Sequence, residues 1–132
     1  MGEDSINKSK IMETIQMSAY TRPGIEPLSM QYIENMITLV FDFPNHNWVR
    51  SDCQEEKMCC ARQLMMCCLL EFMDFNTTDA GAHCQRSHTN AVRSKYRVHA
   101  TLMHDNVYGM RVRKVYETCQ MMRRAKVKKK IQ

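Results

Sequence analysis

At 132 residues, 44% of them hydrophobic and 25% charged, the chain suits one folded domain and is too apolar for wholesale disorder. Its formal net charge of +5 conceals a division, because residues 1–82 sum to −6 and residues 83–132 to +11. No run of about 18 apolar residues occurs, which argues against a membrane span, and Met1–Lys10 is polar, which argues against export.

Residues 1–27 contain Pro23, Gly24 and Pro27 among polar side chains and are expected to form a flexible N-terminal segment. A single globular domain is expected over 28–119 and a basic C-terminal tail over 120–132. The domain opens with a helix over Leu28–Asp42, where Ile33, Met36, Ile37 and Val40 recur at helical spacing behind a Ser29 cap. Pro44 ends it, and Trp48 is expected to enter the core from the polar loop Asn45–Asn47.

The second helix is read over Gln54–Met73, opened by a capping box of Asp52 and Glu55. Met58, Ala61, Met65, Cys68, Leu69 and Phe72 mark its buried stripe, flanked by Cys60, Leu64 and Cys67. A helix apolar around so much of its circumference is either central or shared with another chain, so a homodimer or protein partner along 54–73 is one expectation. The run Asn76–Gly81 reads as a loop.

Beyond it the pattern divides. Tyr96, Val98, Ala100 and Leu102 alternate with Arg97, His99 and Thr101, which predicts a strand or loop to about Asn106; a turn at His104–Asn106, with Met110 and Val112 alternating beyond it, is the alternative of a short basic β-hairpin. From Val107 the period changes: Val112, Val115, Tyr116, Cys119 and Met122 describe a helix to about Lys126. The expected fold is therefore mainly α, a small helical domain with a short hairpin and a basic C-terminal helix and tail.

Two constellations suggest chemistry. Arg93, Lys95, Arg97, Arg111, Arg113, Lys114, Arg123, Arg124, Lys126, Lys128, Lys129 and Lys130 concentrate positive charge, and each cation that meets a phosphate releases counterions. Tyr96, Tyr108 and Tyr116 lie among them and are expected to stack on exposed bases. The run from Arg123 to Lys130 also fits a nuclear import signal. Separately, Cys84 and His88 have a spacing that zinc accepts, and Cys68 with either His83 or Cys53 completes a four-ligand set.

No Gly-rich phosphate loop, nucleophile elbow or H-E-x-x-H motif is present, so an enzyme is not expected. The reading is a non-enzymatic nucleic-acid-binding regulator of cytoplasm and nucleus, RNA favoured over DNA, with no cofactor. Seven cysteines, an odd number, are then expected to be reduced thiols. The alternative is an adaptor stabilised by one structural zinc, recruiting proteins through its helical body. Thirteen methionines against six leucines also suit a small viral accessory protein that suppresses host defence.

Overall fold

The computed structural model describes residues 28–131, with side chains to Arg124. The expected flexible segment 1–27 lies outside the described residues, as do the side chains of Lys126, Lys128, Lys129 and Lys130. Helix α1 spans Met30–Val40, a 3₁₀ turn His46–Val49, α2 Glu56–Phe72, α3 Thr77–His83, α4 His88–Thr101 and α5 Val107–Ile131. No strand occurs among the described residues. No described helix is long and apolar enough to cross a membrane.

Local chemistry explains where each helix starts. Ser29 caps α1, its hydroxyl accepting the Tyr32 N–H at 3.0 Å. Asn76 does the same for α3 through the Asp79 N–H at 2.8 Å, and Asn106 for α5 through the Gly109 N–H at 2.8 Å. The capping box expected at Asp52 does not form. Helix α2 begins four residues later than Asp52, behind Glu55, with no side-chain cap.

Helix α2 is the axis of the domain and touches every other described helix and the 3₁₀ turn. Ala61, Leu64, Met65, Cys67, Cys68 and Leu69 on it are all fully buried. Most of its apolar circumference is thus buried within the fold, with Glu56 exposed and Lys57–Cys60, Gln63, Leu70 and Glu71 half-buried. Trp48 enters this core as expected, stacking on Phe43 and donating its indole N–H to the buried Thr38 hydroxyl at 2.9 Å.

The β-hairpin is overturned, because residues 88–101 are helical. Ser87 caps α4 by accepting the Asn90 N–H at 3.3 Å. Ala91, Ser94 and Val98 form the buried stripe at i, i+3 and i+7. Ser94 hides this stripe from a hydropathy reading, yet its hydroxyl is satisfied by the Asn90 carbonyl at 2.7 Å. The loop expected at Asn76–Gly81 is likewise mostly helix. Gly81 belongs there because a Cβ on it would meet the Ser87 and Arg86 carbonyls at 2.6 and 2.7 Å. At the far end α5 continues through Ile131, so the backbone of the expected tail is helical to that point.

Candidate nucleic-acid interface

The helical geometry of α4 decides which of its cations face outward together. With Ala91, Ser94 and Val98 turned inward, Arg93, Tyr96 and Arg97 fall at i, i+3 and i+4 on the opposite side. All three are exposed, and Tyr96 presents 72% of its surface. Lys95 is exposed on the other flank of the same helix. On α5, Lys114 and Arg124 are exposed as well. None of these five cations has a carboxylate within ion-pair distance among the described residues.

The remaining described cations of the expected set serve the fold. Arg113 donates to the Leu102 and His104 carbonyls at 2.9 and 2.7 Å and so closes the C-terminal end of α4. Asp105 stands 3.9 Å away, fully exposed, too loose to neutralise it. Arg123 does the equivalent work for α2, donating to the Phe72 carbonyl and to both carboxylate oxygens of Asp74 at 3.2 Å. Arg111 lies over the Phe41 ring, 5.7 Å from its centroid.

The three tyrosines separate in the same manner. Tyr96 is an open ring beside Arg93 and Arg97. Tyr108 is half-buried and lines a groove of about 300 Å³ between α2 and α4, whose rim includes Arg97, Gln63 and His104. Tyr116 is half-buried and engaged with the fold. Its hydroxyl donates to Glu71 Oε2 at 2.5 Å, and its ring packs edge-on against Phe72 and His99. Burial and the Glu71 carboxylate push its phenol upward from the ordinary value.

The expected zinc set does not assemble. His83 gives its Nε2 to Glu34 at 3.0 Å, a carboxylate shared with His46 Nδ1 at 2.6 Å. Cys68 packs against Cys119 in the core, and their contact together with burial holds its thiol protonated. Cys84 is fully buried at the end of α3, whereas His88 lies exposed in the first turn of α4. Among the described residues one other group of mixed ligands converges: Cys67, Glu71 and His99, with donor atoms within 4.8 Å of one another. The i, i+4 spacing of Cys67 and Glu71 is visible in the sequence. His99 was hidden because residues 91–106 read as strand or loop, which gives no helical face to set opposite Glu71.

Comparison with known proteins finds no matching family model, no similar curated protein and no similar solved structure.

Proposed function

We propose that the protein binds nucleic acid, single-stranded RNA in preference, through the outer face of α4, and acts by binding and not by catalysis. The observation that carries this reading is the exposed triplet Arg93, Tyr96 and Arg97, two arginines and an open aromatic ring on one side of the helix, with no carboxylate within ion-pair distance of the arginines among the described residues. Guanidinium groups pair with phosphate through a planar fork of donors. A phenol ring on the same side of the helix offers a stacking surface to an unpaired base. The groove beside Arg97 extends this surface to Tyr108 and His104. Lys114 and Arg124 add charge on α5, and the basic run beyond residue 125 contributes without base selectivity.

The reading is tested by titrating the full-length protein with single- and double-stranded RNA and DNA at two salt concentrations. Single-stranded RNA is expected to bind best, with affinity falling steeply as salt rises. Each of Arg93→Ala and Arg97→Ala should lower the salt-dependence slope by roughly 0.7 on a single strand. Tyr96→Ala should cost about 1–3 kcal/mol at either salt, the signature of a lost stack. Wild-type affinity in the triple variant would overturn the assignment to α4.

A further inference from the structure

We propose that Cys67, Glu71 and His99 form a binding site for one divalent transition-metal ion of the zinc class. Cys67 and Glu71 are one turn apart on α2, so both side chains leave the same face of the helix. His99 descends from α4, the helix laid across that face. The three donor atoms, a sulfur, an oxygen and an imidazole nitrogen, lie within 4.8 Å of one another. A tetrahedral zinc bonds such atoms at about 2.3, 2.0–2.2 and 2.0–2.1 Å, so side-chain torsions alone can close the set around an ion.

The surroundings point the same way. Only 15% of the Glu71 side chain is exposed, and no lysine or arginine pairs with it among the described residues. Its partners are His99 Nε2 on one oxygen and the Tyr116 hydroxyl on the other. A carboxylate this withdrawn from water gains from a fixed cation, and a divalent ion in place of the His99 hydrogen bond supplies one. The Tyr116 hydroxyl would keep its oxygen and orient the ligating carboxylate, as outer-shell groups do around metal ligands.

The thiol arrives by a balanced step. Burial and the Glu71 charge hold Cys67 protonated in the metal-free protein; on binding, the metal–sulfur bond forms and the proton passes to solvent, so affinity rises with pH. Three protein ligands leave a fourth position, which opens to solvent beside His99, whose side chain is 45% exposed. Lys95, one turn before His99, brings positive charge near the Cys67 sulfur and favours its thiolate, partly offsetting burial and the Glu71 charge.

The test is a cobalt(II) titration of reduced, metal-stripped full-length protein, followed by competition with zinc. One equivalent should bind, with the tetrahedral ligand-field bands and the sulfur-to-cobalt charge-transfer absorption of a single thiolate. Cys67→Ser should abolish the charge-transfer absorption. His99→Ala should weaken binding at least about tenfold. His88→Ala should leave it unchanged. Charge-transfer absorption that survives in Cys67→Ser, or that disappears instead when Cys53 and Cys59 are replaced by serine, overturns the site. If circular dichroism shows Cys67→Ser to be unfolded, the half-exposed His99 decides the matter, and unchanged affinity in His99→Ala overturns the proposal. RNA titration plays no part in these readouts, so the two proposals fail separately.

Discussion

The guanidinium of Arg62, buried midway along α2, donates to the main-chain carbonyl of Trp48 at 3.1 Å. Its second arm reaches the Cys53 carbonyl at 2.5 Å and the Cys59 sulfur at 3.5 Å. One side chain therefore ties the central helix to the 3₁₀ turn, through Trp48, and to the irregular segment that follows it, through Cys53. Without Arg62 the buried Trp48 carbonyl would lose this donor, at about 1–3 kcal/mol for an orphaned buried acceptor, whereas the carbonyl of the exposed Cys53 can turn to water. Arg62→Met, which keeps the volume and loses the donors, is expected to lower stability by about 1–3 kcal/mol in urea unfolding. A midpoint within error of wild type would show that the segment holds itself in place.

The buried thiols set an alkaline limit on the fold. Burial pushes Cys84 up to about 12 from an ordinary 9.0, Arg62 and Arg86 partly opposing it. Burial and the Glu56 charge push Cys60 up to about 11. In the unfolded chain these thiols ionise near pH 9, whereas in the folded protein they keep their protons, so rising pH favours the unfolded state. The stability they confer is whole below pH 9 and lost between pH 9 and 12, at up to about 1.4 kcal/mol per pH unit for each thiol. Cys84→Ala removes one such group. Its unfolding free energy should fall less steeply from pH 9 to pH 11 than that of wild type, and parallel curves would refute the linkage.

What could be read in advance depended on how openly each element displayed its buried side. Helices α1 and α2 declared themselves through large aliphatic and sulfur side chains at helical spacing. Helix α4 did not, because its inward stripe is Ala91, Ser94 and Val98, one small, one polar and one apolar residue. The alternation of Tyr96 with Val98 and Leu102 was the louder signal and the wrong one, and with α4 misread, His99 could not be placed opposite Glu71. The basic face fared differently. Charge segregation announced it, but only the fold could separate Arg113 and Arg123, which close helix ends, from Arg93 and Arg97, which face outward.

The scarcity of glycine leaves a mark at the helix exits. Asp42, Asp74 and Gln85 follow the C-caps of α1, α2 and α3 with φ of 61°, 58° and 54°, the left-handed turn that glycine usually takes. Aspartate tolerates this region, but glutamine has no local bond to offset it. Gln85→Gly is therefore expected to stabilise the protein by about 0.5–1 kcal/mol, after allowance for the extra freedom glycine has in the unfolded chain. Thermal melting checks this, and a lowered midpoint would mean that the Gln85 side chain contributes something its exposed position does not reveal.

The division of labour among the arginines makes a paired prediction. Arg113→Ala strips the Leu102 and His104 carbonyls of their donor and should cost about 1–2 kcal/mol of stability, while RNA affinity measured on the folded protein changes little. Arg93→Ala with Arg97→Ala should do the reverse. Exposed side chains without partners contribute little to folding, so the melting temperature should hold while binding at low salt weakens and its salt slope flattens. Urea unfolding and RNA titration on the same three samples separate the two roles. If Arg113→Ala weakens RNA binding as much as the α4 pair does at equal foldedness, the contact surface spans the α4–α5 junction and is not confined to the outer ridge of α4.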